Sequence, residues 1–164
     1  MEVRVAGPED AEAVCAAYLD SWRAGYDGLL PDDQIEIEAI RRAQFDWRAA
    51  TNGEDRVRVA VEGPRVLGVI QYGTSSAEPI DREDIEMLYV VPDAWGTGAA
   101  KALLDAALDD FRQLGRSRVW LRVVEPQTRA RRFYEREGWS PDPEMPPASN
   151  GLFRLIYYRR DLTT

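Results

Sequence analysis

The first part of the chain carries apolar residues at helical spacing. Val3 and Val5 predict a short first strand, and Pro8, followed by acidic residues, is typical of a helix start. The apolar residues beyond it recur at i, i+3, i+4 and i+7, which places them on one helix face. They are Ala11, Val14, Cys15, Tyr18, Leu19 and Trp22. We therefore predict a first helix with Cys15 in the core.

Further along, a helical pattern is followed by an extended one. A second helix is predicted between Pro31 and Asn52. Its apolar residues are Ile37, Ile40 and Trp47. Valines then alternate with polar residues from 57 to 61, turn residues occupy 62–65, and an apolar run covers 66–72. This order predicts a β-hairpin.

The strand predicted at 84–91 has an irregular pattern. Ile85 and Met87 share one parity of the alternation, whereas Leu88 and Val90 share the other. An inserted residue, a β-bulge, reverses the side-chain direction in this way and leaves backbone groups unpaired for a ligand. A strand that is buried on both faces is the alternative explanation.

The second half of the chain predicts an alternation of helices and strands. A helix at 98–114 has one apolar stripe and ends at Gly115. The stripe comprises Leu104, Ala107, Leu108 and Phe111. The remaining predicted elements are a strand at 119–124, a helix at 126–137 and a last strand at 152–159. The order predicts a mixed α/β fold in which strands 84–91 and 119–124 lie parallel and adjacent, with ligands at their C-terminal edge.

Composition narrows the chemistry. The 164 residues suit a single domain, 1–164, and the hydrophobic share of 45% suits an ordinary globular protein. We expect no signal peptide and no membrane anchor, and the single cysteine favours a reducing cytoplasm. The absence of histidine excludes the usual zinc sites and Ser-His-Asp or Cys-His catalysis. The net charge of −8 disfavours nucleic acid as a partner.

Against this acidic background, residues 116–136 are basic. Seven arginines lie there, against Glu125 and Glu135. They are Arg116, Arg118, Arg122, Arg129, Arg131, Arg132 and Arg136. A solvated helix face and a nearby polyphosphate ligand explain this run equally well.

The turn before the helix at 98–114 is built for close approach of a ligand. Its small residues are Gly96, Gly98, Ala99 and Ala100. The helix start offers free N–H groups and the positive end of the helix dipole to phosphate oxygens. Lys101 would add a charge. A purely structural strand-to-helix turn is the alternative, and neither a nucleotide-triphosphate loop nor a full dinucleotide-binding motif is present.

Two segments resemble the motifs of the GNAT superfamily of acetyltransferases. Residues 88–104 read LYVVPDAWGTGAAKALL and are similar to its coenzyme A motif, and residues 127–139 read QTRARRFYEREGW and are similar to its N-x-x-A-x-x-x-Y-x-x-x-G-F helix. The close resemblance covers 84–139. Two departures are Trp95, where the family usually has Arg or Gln, and Gln127, where it usually has Asn.

The resemblance implies a GNAT-like α/β fold, with a mixed, mostly antiparallel sheet of about seven strands and about four helices. It also implies acetyl-coenzyme A as co-substrate, with no metal, and direct acyl transfer to the amine of a small molecule or peptide. By analogy, backbone N–H groups at Leu88 and Val90 hold the pantetheine arm. The other implied coenzyme-binding residues are Trp95, Gly96, Thr97, Gly98, Ala99, Ala100, Lys101 and Gln127.

The same resemblance assigns candidate catalytic residues. A tyrosine near pKa ~10 can protonate a departing thiolate near pKa ~8.5, and Tyr134 fits this general-acid role, although an ordinary amphipathic helix would also carry it. A protonated amine needs a base, for which Asp84 and then Glu86 are candidates. Trp22 and Tyr26 are candidates for the acceptor pocket, with core packing as the alternative for Trp22.

Two further expectations stay open at this point. A non-catalytic acyl-coenzyme A sensor or interaction module with the same fold would carry the same motifs. An exposed last strand at 152–159 would also allow a homodimer, because unpaired sheet edges accept strands from other chains.

Overall fold

An eight-stranded sheet with helices packed against it forms the body of the protein. The computed structural model describes residues 1–52, 56–74 and 83–162. The strands are β1 (Glu2–Val5), β2 (Arg56–Glu62), β3 (Arg65–Thr74), β4 (Glu83–Val90), β5 (Arg118–Val124), β6 (Ser140–Pro141), β7 (Ala148–Ser149) and β8 (Arg154–Asp161). The helices are α1 (Ala11–Tyr26), α2 (Asp32–Arg42), α3 (Trp47–Ala50), α4 (Ala99–Gln113) and α5 (Thr128–Arg136).

The sheet has the order β1-β2-β3-β4-β5-β8-β6, and β7 also pairs with β8. Among the described strands, every pairing is antiparallel except that of β4 with β5, which is parallel. The predicted mixed, mostly antiparallel sheet and the β2–β3 hairpin are confirmed. The parallel pair follows from the crossover through α4.

The core lies where α1 and α4 pack on the middle strands. The predicted stripe of α4 is buried, with Leu104, Ala107, Leu108 and Phe111 all at most 2% exposed. On α1 the predicted face is buried at Val14, Tyr18 and Trp22. Cys15 is only half-buried at the edge of this core, so its placement inside the core is wrong. Within the three described stretches, no helix has both the length and the hydropathy to cross a membrane.

The predicted second helix is two helices. α2 ends at Arg42, and α3 begins after Asp46, whose carboxylate accepts the N–H of Ala49. The predicted apolar positions Ile37 and Ile40 are exposed. The buried face of α2 instead consists of Ile35, Glu38 and Ala39. Glu38 is tolerated inside because two arginines of the same helix, Arg41 and Arg42, pair with its carboxylate.

The last strand is not a free edge. β8 pairs with β5 on one side, and β6 and β7 pair with its other side. The expectation of an exposed edge at 152–159 is therefore wrong, because the proline-rich segment before β8 supplies short strands that cover it. The argument for a homodimer through this edge is removed with it.

One charged cluster fastens the second half of α4 to the sheet. Asp110 accepts hydrogen bonds from Tyr72 and from Arg58, whose Nη2 lies 3.0 Å from Oδ2, and Arg56 approaches within 3.3 Å. Burial by itself raises the pKa of the Asp110 carboxyl, but the hydrogen bonds from Tyr72 and Arg58 outweigh burial and lower this pKa. Burial and the bond to Asp110 also raise the pKa of Tyr72, to about 12.

We predict that Asp110→Asn lowers the free energy of unfolding by about 1–3 kcal/mol at pH 7, because Arg58 and Tyr72 lose a charged acceptor. The pKa of Asp110 is lower in the folded state than in the unfolded state. The ionised carboxylate therefore stabilises the folded state fully above the unfolded pKa of about 3.9, and this stabilisation is lost as the pH falls through the folded pKa. Urea unfolding of variant and wild type between pH 7 and pH 2 should show the difference shrinking toward the acid end.

The matched control is Asp109→Asn, since Asp109 is exposed on the same helix and pairs with Arg112 on the surface. This change is expected to alter the unfolding free energy by less than about 0.5 kcal/mol. Equal losses at positions 109 and 110, or a loss at 110 that is independent of pH, would contradict the account of the cluster.

Candidate active site

The middle of the sheet is open because β4 and β5 part after their first residues. Two pairs join these strands, and the second of them is Ile85 with Leu121. Beyond it, β4 continues to Val90 along β3, and β5 continues to Val124 along β8. A wedge-shaped opening, which we call the gap, therefore separates the C-terminal halves of two neighbouring strands.

A bulge at Glu86 marks the point where the strands part. Gln71 of β3 pairs with Met87, whereas Tyr72 pairs with Ile85, so Glu86 is left over. The predicted bulge is confirmed, and it bends β4 at the inner end of the gap. Glu86 faces Arg122 of β5, with Oε2 and Nη2 separated by 3.8 Å.

The backbone beyond the bulge points into the gap at alternate residues. The N–H of Val91 donates to Leu67 of β3 at 2.9 Å. In an antiparallel pair the N–H and C=O of one residue point to the same side, and successive residues alternate. Tyr89 therefore faces β3, whereas Leu88 and Val90 direct their N–H and C=O groups toward the gap. That these N–H groups hold a pantetheine arm stays a prediction.

Residues 95–100, which we call the coenzyme turn after the family motif that they resemble, present a helix start at the mouth of the gap. Gly96 and Gly98 have φ values of 78° and 90°, a left-handed conformation that favours glycine, and a Cβ on either would meet open space. The first hydrogen bond of the helix runs from Ala102 to Gly98. The N–H groups of Ala99, Ala100 and Lys101 therefore have no acceptor within the helix and are available to an anion.

One cleft of about 1080 Å³ joins the gap to this turn. Its walls come from the end of α1, from Leu88, Tyr89 and Val90 of β4, from the turn with the start of α4, and from α5. Thr97 is not part of this wall, because its side chain turns back and its Oγ1 donates to Ala94 O at 2.5 Å. Thr97 therefore stabilises the turn, while its role in binding coenzyme stays a prediction.

The cleft is basic, although the whole chain carries −8. The charged residues of its wall are Lys101, Arg129, Arg132, Arg136 and Glu137. Three of the seven arginines of the basic run thus line the cleft, which favours the polyphosphate explanation for those three. Lys101 forms ion pairs with two carboxylates, since its Nζ lies 2.7 Å from Asp105 and 3.7 Å from Glu137.

Trp95 is fixed between strand and helix. Its Nε1 donates to Val90 O at 2.8 Å, and the guanidinium of Arg129 lies over its ring, with Cζ 3.4 Å from the ring centroid. Burial lowers the pKa of Arg129, which still stays charged at neutral pH. The departure from the family pattern at position 95 thus brings an arginine of α5 to the same place.

Tyr134 lies on the α5 wall of the cleft. It packs edge-on against Phe133 and Trp139, at centroid distances of 5.2 Å and 6.1 Å. Burial raises the pKa of Tyr134 above its ordinary value, so the hydroxyl keeps its proton. Within the described part of the chain, this hydroxyl has no hydrogen-bond partner and is available to a ligand.

The end of α1 closes the cleft opposite the coenzyme turn. Trp22 and Tyr26 stack at 4.7 Å, and both lie on the wall, but they are 0% and 4% exposed and thus form its floor. Gln127 donates from Nε2 to Gly25 O at 3.2 Å and so joins α5 to α1. The indole N–H of Trp22 is buried without a partner in the described structure.

The two candidate bases are placed differently from Tyr134. Asp84 is buried, at 2% exposure, rather than solvated at a strand end, and Glu86 is half-buried beside Arg122. Neither belongs to the wall of the cleft. Their role as bases stays a prediction. Among the described residues, no group of three or more His, Cys, Asp or Glu side chains is arranged to hold a metal ion.

Tyr89 was not predicted from the sequence as a residue of the cleft, but it lies on the wall and contacts Tyr18 edge-on at 4.8 Å. Arg129, Arg132 and Arg136 belong to the basic run for which a polyphosphate ligand was one of two explanations, and they line the cleft from α5. The arginines carried a signal, since positions 129, 132 and 136 recur at i, i+3 and i+7 on one helix face. Tyr89 carried none, because a tyrosine in a strand is ordinary.

Comparison with known proteins agrees with this geometry. An N-acetyltransferase called YhfO from Bacillus subtilis, itself uncharacterized, is 31% identical over 144 residues, which are 87% of this chain and 91% of that protein. An uncharacterized N-acetyltransferase from Mycobacterium tuberculosis is 43% identical over 61 residues, but these span 36% of this chain and only 39% of that protein.

The fold also has solved counterparts. The PaiA N-acetyltransferase of Thermoplasma acidophilum, solved in complex with coenzyme A, superposes with a TM-score of 0.81 over 99% of this chain and 100% of that one, at 16% identity. The GNAT-like fold is therefore confirmed. The family model described as acetyltransferase (GNAT) family matches residues 12–139, which include the gap, the coenzyme turn and Tyr134, and the chain belongs to this family.

Proposed function

We propose that this chain, acting as one domain, transfers an acetyl group from acetyl-coenzyme A directly to a primary amine of a small molecule or peptide. The observation that carries the proposal is the single cleft in which the gap, the free start of α4 and the hydroxyl of Tyr134 meet. Family membership supports acetyl-coenzyme A as the co-substrate.

The residues of the cleft fit such a ligand from end to end. The free N–H groups at the start of α4 suit the pyrophosphate. The gap-facing groups of Leu88 and the N–H of Val90 suit the amides of a pantetheine arm. When bound, acetyl-coenzyme A supplies the activated thioester. A backbone N–H of β4 that is directed at the thioester carbonyl polarises it, as an oxyanion site does.

Tyr134 is the proposed general acid. The amine nitrogen forms a bond to the carbonyl carbon, the bond from that carbon to sulfur breaks, and the Tyr134 hydroxyl protonates the departing sulfur. Burial raises the pKa of Tyr134, so the hydroxyl keeps its proton until the thiolate develops. The same low-polarity surroundings raise the pKa of the departing thiol as well, because they disfavour both anions, so burial does not by itself prevent the transfer.

The acceptor enters at the end of the cleft formed by α1. The wall residues that α1 and the following turn contribute are uncharged, and Trp22, Tyr26 and Leu29 are among them. This supports an acceptor with an apolar part next to its amine. The amine proton leaves to Asp84 or Glu86, or to water. Because both carboxylates lie off the cleft wall, the proposal favours transfer through water.

We predict that Gly98→Glu abolishes binding of acetyl-coenzyme A in calorimetry. The new side chain would extend into open space at the start of α4, where its carboxylate competes with the phosphates for the same N–H groups. Gly115→Glu is the matched control, since Gly115 also has positive φ and open space but lies at the other end of α4. This control is expected to bind as the wild type does, whereas equal losses in both variants would point to misfolding.

Tyr134→Phe is expected to leave the affinity for acetyl-coenzyme A unchanged and to lower kcat about 100-fold, because only proton donation is lost. Thiol release across a panel of amines measures this. A variant that turns over at the wild-type rate would contradict the general-acid role. Wild-type binding without thiol release for any amine would favour a non-catalytic acyl-coenzyme A sensor instead.

The pH profile tests Tyr134 independently. Because burial raises the pKa of Tyr134 above its ordinary value of about 10, the acid form persists throughout the neutral and alkaline range. We predict that kcat of the wild type does not fall between pH 8 and pH 10. An alkaline decline in this interval that disappears in Tyr134→Phe would show that the hydroxyl ionises early, contrary to the structure.

A further inference from the structure

The coenzyme turn has no free side-chain cation of its own. Trp95, the first residue of this turn, carries no charge, and the ammonium of Lys101 is paired with Asp105 and Glu137. Coenzyme A carries several phosphate charges, and helix N–H groups alone offer only a partial positive charge. A cation from another element is therefore needed at this end of the cleft.

Arg129 is the cation best placed for this task. It lies on α5, lines the same cleft as Gly98 and Ala99, and has no ion pair or hydrogen bond to any residue that the structure describes. The face of the Arg129 guanidinium stacks on the ring of Trp95, with Cζ 3.4 Å from the ring centroid. Stacking leaves the N–H groups at the edge of the guanidinium free to bind phosphate oxygens in a planar, paired geometry.

Trp95 is in turn fixed by the strand that it follows. The bond from Nε1 to Val90 O, at 2.8 Å, sets the plane of the ring, and the ring packs against the core. The guanidinium therefore lies against a surface whose orientation is set by β4. Because the Arg129 side chain is already held against this surface, it loses less conformational entropy when it binds a ligand.

We propose that Arg129 binds the phosphate groups of the coenzyme, and that Trp95 is the positioning residue that holds its guanidinium at the coenzyme turn. This inference rests on the proposed function and deepens it. Trp95 thus holds an arginine of α5 at a turn that has no unpaired side-chain cation of its own. Arg132 and Arg136 line the same helix and extend the positive charge along the cleft.

The test is calorimetry with coenzyme A and with dephospho-coenzyme A, on variants whose fold is checked by thermal unfolding. Arg129→Gln is expected to weaken coenzyme A about 10- to 100-fold, as for the loss of a charged hydrogen bond. Arg129→Lys should recover part of this loss. Arg112→Gln removes the same charge from the solvent-exposed side of α4, outside the cleft wall, and should leave binding unchanged.

The phosphate that Arg129 contacts follows from the second ligand. An equal loss for both ligands in Arg129→Gln assigns the contact to the pyrophosphate. A loss for coenzyme A alone assigns it to the 3′-phosphate, which dephospho-coenzyme A lacks.

The role of Trp95 is tested by coupling. Trp95→Leu removes the ring face and should weaken coenzyme A about tenfold, whereas Trp95→Phe keeps a face but loses the bond to Val90 O, and its affinity should lie between those of Trp95→Leu and the wild type. In the Arg129→Gln background, Trp95→Leu should add no further loss, since the two residues act as one unit.

Three outcomes separate the claims. Wild-type affinity in Arg129→Gln would overturn the assignment of Arg129. Additive losses at 95 and 129 would overturn the positioning role of Trp95. A wild-type chain that binds neither ligand would contradict the proposed function itself.

Discussion

The parting of β4 from β5 is the feature on which the rest of the site depends. One extra residue, Glu86, interrupts the pairing of β4 with β3 immediately after the last parallel pair of β4 with β5. If the two strands stayed together, the backbone of β4 after Glu86 would form hydrogen bonds with β5. Because it does not, Leu88 and the N–H of Val90 present hydrogen-bonding groups to the gap, where unpaired groups are costly, whereas Val90 O is paired with Trp95 Nε1. A ligand that pairs with this strand removes that cost.

The two helices that flank the gap complete the site by different means. α4 contributes the free N–H groups of its first turn, and the Asp110 cluster fastens its second half to β2 and β3. α5 contributes side chains, namely Tyr134 and the cationic residues beside it. The division is physically sensible, because backbone donors hold a phosphate close to the chain while long arginine side chains reach charges that lie farther away.

Much of this could be predicted from the sequence, although the local patterns left alternatives open. The change of phase between Met87 and Leu88 indicated a bulge or a strand buried on both faces, and the pairing of β4 with β3 decides for the bulge. The small residues of the turn indicated either a helix start open to a ligand or a purely structural turn. The predicted apolar face of the second helix is wrong, because Ile37 and Ile40 have helical spacing but face solvent. Ile35 and Ala39 are buried instead, in a cluster with Trp22 and Tyr26, and only packing between helices selects that face. Local periodicity does not contain that information.

The other features that were not predicted from the sequence are contacts between distant segments. Nothing local shows that the proline-rich segment covers β8, or that Glu137 approaches Lys101. The approach of Arg129 to Trp95 joins residues 34 positions apart and depends on how α5 packs against the turn. Charge and spacing identified the arginines as candidate ligands of a polyphosphate, but only the packing of α5 determines which of them line the cleft.

The central claim, that β4 offers its gap-facing backbone to an acyl-coenzyme A, is tested most directly by residue-resolved amide hydrogen exchange with and without coenzyme A. The account predicts that the N–H groups of Leu88 and Val90 become strongly protected on binding. Tyr89, whose N–H already faces β3, serves as the internal control and should change little. Unchanged exchange at Leu88 and Val90 in the presence of saturating coenzyme A, or protection that rises equally at Tyr89, would contradict it.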